Sequence, residues 1–191
     1  MMAPADTFPG VPTHAAFLKG MNLGKRRLTN EELRGHFEAI GLTDVATFRA
    51  SGNVVFSAPK REAEQALTER IEGELAEMLG YPVATFVRSG PELVEIASAE
   101  PFDAATSARL AGKPQVMLLA GRPEAAARRE ALSLAGDEDA LAFGKRELFW
   151  LPAGGISESA LDMKALERAL GPVTVRTMGT VEQISARHFG A

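Results

Sequence analysis

The chain has 191 residues, of which 46% are hydrophobic and 24% charged, and its formal net charge at neutral pH is −4. Such a length suits one large domain or two small ones, and burial of roughly 70% of the unfolded surface makes a disulfide or metal staple unnecessary. Cysteine is absent, which excludes disulfides, thiol nucleophiles and cysteine-based zinc or iron–sulfur sites. The histidines His14, His36 and His188 share no short ligating spacing, so neither a metal site nor a cofactor is expected. The acidic balance opposes nonspecific nucleic-acid binding, which needs a basic footprint. No apolar run approaches the roughly 18 residues of a membrane span. Residues 1–13, with Pro4, Pro9, Gly10 and Pro12, read as a disordered lead-in and not a signal peptide, and a cytoplasmic location is the expectation.

In chain order, the apolar run from His14 to Lys19 ends at Gly20 and predicts a strand. Thr29-Asn-Glu-Glu32 has capping-box spacing, and Leu33, Phe37 and Ile40 follow at helical intervals before Gly41, which predicts a helix over 30–40. Val45–Arg49 and Asn53–Ser57 read as two strands joined by Ala50-Ser51-Gly52 in a hairpin. A helix over 61–79 carries an apolar stripe of Ala63, Leu67, Ile71, Leu75 and Met78; its other face, with Glu62, Glu69, Glu72 and Glu77, reads as solvated and without a persuasive acid/base pair. Val83–Arg88 completes a β-α-β-β-α-β order, the ferredoxin-like arrangement.

Residues 89–114 read as a short connecting helix, capped at Ser89, followed by an irregular linker. The order then repeats over 115–191: a strand from Gln115 to Ala120, a helix opened by Pro123, a hairpin of Ala140–Phe143 and Glu147–Leu151, a helix from Ser159 to Leu170, and a strand from Val173 to Arg176. Thr180 is expected to cap a terminal helix that reaches Arg187. The fold class expected is α+β, with two successive ferredoxin-like units over 14–88 and 115–191 and a C-terminal helix. Runs such as Val116–Leu119 have no polar face, which suggests sheets covered on both sides.

Catalytic signatures fail. Gly20-Met-Asn-Leu-Gly24-Lys25-Arg26 has three residues between its glycines and Arg after the lysine, where a Walker A loop needs four residues and then Ser or Thr. Rossmann glycines, a zincin helix and a nucleophile elbow are all missing. What stays is an anion-site reading of the Gly20–Arg27 loop, where exposed amides would act with Lys25, Arg26 and Arg27. The bland alternative is a solvated connection. Ser51 and Asn53 could act as hydrogen-bonding groups beside Arg49, or could simply stabilise a turn. If strands one and three are antiparallel, Gly20 and Asn53 are expected at opposite strand ends, so Asn22 and Asn53 are not assigned to one site. Gly154-Gly-Ile-Ser157-Glu-Ser159 could offer amides to an anion, although N-capping by Ser157 or Ser159 is the simpler reading. The third strand lacks the aromatic pattern of an RNA-stacking sheet.

Phe17-Leu-Lys-Gly-Met-Asn-Leu-Gly24 and Thr47-Phe-Arg-Ala-Ser-Gly-Asn-Val-Val-Phe56 resemble the two hallmark stretches of the bacterial domain-of-unknown-function family 1697. The resemblance continues through Phe86-Val-Arg-Ser89, Glu100-Pro-Phe102 and Gly154-Gly-Ile-Ser157. It implies a single α+β chain with two ferredoxin-like halves and brings no activity with it. It marks Gly20, Asn22, Gly24, Ser51, Gly52 and Asn53 as positions to test. This sequence departs from the commoner pattern at Lys19, where Arg is usual, and over Arg176–Val181, where many relatives carry an Asn-Trp-Asn run. The function expected is a binding or regulatory module for a small anionic ligand, using Asn22, Lys25, Arg26, Ser51 and Asn53. The alternatives are an enzyme whose acid/base groups come from separate loops, or a binder of single-stranded nucleic acid.

Overall fold

The computed structural model of the chain describes residues 11–21, 28–59 and 62–190. Among them are two four-stranded antiparallel sheets and seven helices, a mixed α+β architecture. The chain divides into two compact units, one reaching Pro91 and taking in residues from His188 onward, the other spanning Glu92–Arg187. No helix among the described residues is long and apolar enough to cross a membrane.

The first unit contains β1 (His14–Leu18), α1 (Asn30–Ala39), β2 (Thr43–Thr47), β3 (Asn53–Ser57), α2 (Glu64–Leu79) and β4 (Thr85–Ser89), with sheet order β2-β3-β1-β4. The capping box at the start of α1 forms as its spacing predicts: Thr29 Oγ1 accepts from Glu32 N at 3.2 Å, and Glu32 Oε2 accepts from Thr29 N at 2.8 Å. The bond from Thr29 N, together with one that the Thr29 hydroxyl donates to Glu32 Oε2 at 2.8 Å, holds the Glu32 carboxyl below its ordinary range, the backbone bond contributing most. Leu33 and Phe37 of α1 meet Leu67, Ile71 and Leu75 of α2 over Ala16, Leu18, Val54, Phe56 and Val87 of the sheet. Alternation turns Ala15, Phe17, Val55 and Phe86 to the opposite face, and these are buried too.

The carboxylates around α2 do more than solvate it. Glu62 stands before the helix, and its two oxygens accept from Arg70 Nε and Nη2 at 2.8 and 2.7 Å, while Arg70 Nη1 donates to Ile40 O at the end of α1. Glu72 Oε1 accepts from Thr85 N at 2.7 Å and so fixes the start of β4. Met78, expected in the apolar stripe, is exposed and lies against His36. Arg61, the expected start of this helix, lies outside the described residues, and most of the expected 1–13 lead-in does as well.

α3 (Gly90–Ala97) starts directly after β4. The segment 102–114, read from sequence as irregular, holds α4 (Ala104–Arg109), whose first turn is capped by Asp103 accepting from Thr106 N at 2.7 Å. The second unit continues with β5 (Gln115–Leu119), α5 (Ala125–Ser133), β6 (Asp139–Phe143), β7 (Glu147–Pro152), α6 (Met163–Leu170), β8 (Val173–Thr177) and α7 (Met178–His188). Its sheet order, β6-β7-β5-β8, repeats that of the first. Met117, Leu119, Leu148, Trp150 and Val173 pack under Ala131 of α5 and Leu166 of α6. All five residues of β5 are buried, as its unbroken apolar run implies.

Several helix starts differ from the sequence expectation: α2 begins at Glu64 and not at 61, and α5 begins at Ala125 behind Glu124, which leaves Pro123 outside it. α6 begins at Met163, capped by Asp162 accepting from Lys164 N and Ala165 N, because the Ser159 hydroxyl donates to Asp139 instead. α7 begins at Met178, and Thr180 N donates to Thr177 Oγ1. The last residue of β8 thereby takes the capping place assigned to Thr180.

Candidate functional site

The two hallmark stretches of the first unit meet at one end of its sheet. β1 and β3 are antiparallel, with Phe17 opposite Asn53, and Leu18 N donates to Gly52 O at 2.8 Å. Gly20 and Ser51-Gly52 are therefore at the same end of the sheet, which corrects the expectation of opposite ends. In an antiparallel pair the exit of one strand always abuts the entry of the other. Asn22, Lys25 and Arg26 follow Met21 in the chain and lie outside the described residues.

The hairpin from Phe48 to Asn53 is tightly built. Phe48 N donates to Asn53 O at 2.9 Å, and Asn53 Nδ2 donates to both Phe48 O and Ser51 Oγ, at 3.0 and 2.8 Å. Both amide hydrogens of this buried side chain are thus engaged inside the turn. Gly52 has φ 70°, and a Cβ there would sit 3.2 Å from Leu18 Cβ and 3.3 Å from Leu18 O. The left-handed backbone and the close approach of β1 both call for glycine. Arg49 also has positive φ, 57°, with its guanidinium 5.6 Å from the Phe48 ring centre. Exposed Ser51 and Arg49 share this end with half-buried Lys19 and with Gly20. Lys19 is tied by its backbone to Ala84 O at 2.9 Å. Such an end can present cations, a hydroxyl and loop amides to an anion.

The glycine-rich connection of the second unit is arranged differently. Gly155 N donates to Glu158 Oε2 at 3.0 Å, so a carboxylate of the chain itself occupies the place an external anion would take. Ser159 is drawn to Asp139, whose Oδ1 also accepts from Trp150 Nε1 at 2.6 Å. Asp139 is a buried carboxylate satisfied by an indole and a hydroxyl, joining β6, β7 and the chain ahead of α6. Among the described residues no group of three or more His, Asp or Glu comes together as a metal-holding set.

Two arginines escaped the sequence reading. Arg88 on β4 is only 1% exposed, and its Nη1 donates to Val87 O at 2.7 Å. Arg176 on β8 donates from Nη1 to Val175 O and Thr174 Oγ1, both at 2.8 Å, and burial pushes its guanidinium down to about 10. At neutral pH it still carries its charge. The signal in the sequence was the recurrence of Val-Arg followed by Ser or Thr at 87–89 and 175–177.

In the arrangement of its backbone the chain is similar to a conserved bacterial protein from Streptococcus pneumoniae whose structure is known. The two share 20% sequence identity at a TM-score of 0.70, over 93% of this chain and 98% of the other. At that identity the likeness speaks to fold alone. None of the curated proteins matches the chain. Residues 11–149 match the family described as "Protein of unknown function (DUF1697)". This match takes in both stretches that meet at the end of the first sheet, and on its extent the chain belongs to the DUF1697 family.

Proposed function

We propose that the protein is a cytoplasmic binding module for a small anionic ligand, built from two ferredoxin-like units and holding the ligand at the β1 exit of the first sheet. One observation carries the reading: the Leu18 N to Gly52 O bond of 2.8 Å, which brings the two hallmark stretches side by side. Lys19 and Arg49 supply positive charge there, and Ser51 supplies a hydroxyl. Asn22, Lys25 and Arg26 belong to the same connection in sequence and extend the basic character. Loop amides near glycine together with cations form a general anion-binding device. Asn53 has a supporting role in this reading, because its amide hydrogens hold the hairpin closed.

A thermal-shift screen against nucleotides, sugar phosphates and organic acids tests the proposal. Stabilisation of the wild-type chain by one of these anions, lost in Asn22→Ala and Lys25→Ala variants, is the expected result. No shift with any of them, or an equal shift in both variants, overturns it.

A further inference from the structure

In the second unit, alternation along β7 sends Leu148 and Trp150 toward α5 and α6 and sends Phe149 and Leu151 to the opposite face. On that opposite face lies an open cavity of about 500 Å³. Its apolar wall includes Phe149 and Leu151, Leu110 from the end of α4, and Met178 from the start of α7. Its charged lining residues, among those described, are two carboxylates, Glu100 and Glu182. Among the described residues, no lysine, arginine or histidine lines it.

The wall contributed by 99–112 is fastened, as a preformed site requires. Asp103 caps α4, Arg109 Nη1 donates to Asp137 O, and Gly112 N donates to Pro152 O at 3.0 Å. A Cβ on Gly112 would fall 2.2 Å from Pro152 O, so this backbone is seated directly on the end of β7. The volume lies within the roughly 300–1,000 Å³ of small-molecule sites, which combine an apolar lining with a few polar groups that set orientation.

We propose that this cavity is a second ligand site, for a small molecule that joins an apolar ring or chain to a protonated amine. The apolar part is covered by Leu110, Phe149, Leu151 and Met178, and the ammonium faces Glu100 and Glu182. A ligand carrying a carboxylate or phosphate would meet charges of its own sign. The site is therefore opposite in electrostatic sense to the end of the first sheet and does not rest on it. It also gives a place to Glu100-Pro101-Phe102, a stretch that the anion site does not use.

Calorimetric titration with 2-phenylethylamine, 2-phenylethanol and 3-phenylpropanoate tests this on the full chain. These probes share an apolar body and differ in the charge at its end. Saturable amine binding, at least about tenfold tighter than the alcohol or the acid, is expected, with the preference gone in the Glu100→Gln/Glu182→Gln double variant. Ala104→Trp, at an exposed lining position, should block the amine while leaving the melting temperature near wild type. Equal binding of the three probes, no saturation at millimolar amine, or an unchanged preference in the double variant overturns the proposal.

Discussion

Arg88 and Arg176 hold the same place in two copies of one strand. Each follows a valine, each precedes a hydroxyl residue, and each donates from Nη1 to that valine's carbonyl, at 2.7 and 2.8 Å respectively. The junctions after them match as well: Gly90 N donates to Thr13 O at 2.8 Å and Met178 N to Pro114 O at 2.9 Å. The repetition therefore extends beyond element order to side-chain chemistry at the edge strand of each sheet.

The equivalence predicts unequal costs on removal. Arg88→Ala leaves a cavity and removes the donor to Val87 O at a site only 1% exposed, and should lose about 3 kcal/mol of stability. Arg176 is half-buried, so Arg176→Ala should lose about half as much. Urea denaturation of the two single variants measures both values. An equal loss, or none at Arg88, would show that enclosure does not set the cost.

Asp139 is the acceptor for the single tryptophan of the chain. Asp139→Ala leaves the buried Trp150 N–H without its acceptor and frees Ser159, at a cost of about 2 kcal/mol. Because Trp150 is the sole indole, its emission reports this site alone. The emission maximum should move when Asp139 is replaced and stay unmoved in Ser157→Ala, which leaves the indole bond intact. An unmoved maximum in Asp139→Ala would sink the assignment.

Much of the architecture was legible because each unit is patterned locally. Thr29 and Glu32 announced α1, the apolar stripe through Leu67, Ile71 and Leu75 announced α2, and the unbroken run at Val116–Leu119 announced a strand buried on both faces. The start of α6 was misread because a side chain had a better long-range partner. Ser159 looks like a cap until Asp139, twenty residues earlier in the chain, takes its hydroxyl. Glu62 looks like one more solvated acid until Arg70 reaches it with two nitrogens. At the candidate site the residue types were readable, but the meeting of Gly20 with Ser51 was misread, although an antiparallel register of β1 with β3 requires it. Burial of Arg88 was not readable, since an arginine in a strand gives no local sign of what encloses it.

The Glu62–Arg70 pair predicts a pH dependence of definite sign. The hydrogen bonds from Arg70 hold the Glu62 carboxyl below its ordinary value of 4.5, with their attraction adding to the effect. A carboxyl depressed in the folded state contributes stability above its unfolded pKa and loses it as pH falls through the folded value. Wild type should therefore exceed Glu62→Gln by about 1 kcal/mol at pH 7, with a constant gap down to about pH 5.5. Below about pH 4.5 the gap should close. Urea midpoints of both proteins between pH 7 and pH 3 read this directly, and a gap that widens on acidification contradicts it.

Arg49 offers a test that separates binding from folding at the sheet end. Its φ of 57° places an L side chain in the left-handed region, which costs roughly 1–2 kcal/mol relative to the ordinary helical region. Glycine at this position removes that strain but costs about 0.5–1 kcal/mol in unfolded-chain entropy, and it also loses a weak contact of the guanidinium with the Phe48 ring. Arg49→Gly should thus fold as well as wild type or better, by up to about 1 kcal/mol. If the sheet end holds an anion, the same variant should bind it several-fold more weakly, so stability and binding would move in opposite directions. Arg49→Lys restores the charge without the planar fork and should recover part of the binding with no gain in stability. A large loss of stability in Arg49→Gly would make Arg49 a structural residue and remove it from the proposed site. Unchanged anion binding in a stable Arg49→Gly protein would remove it equally.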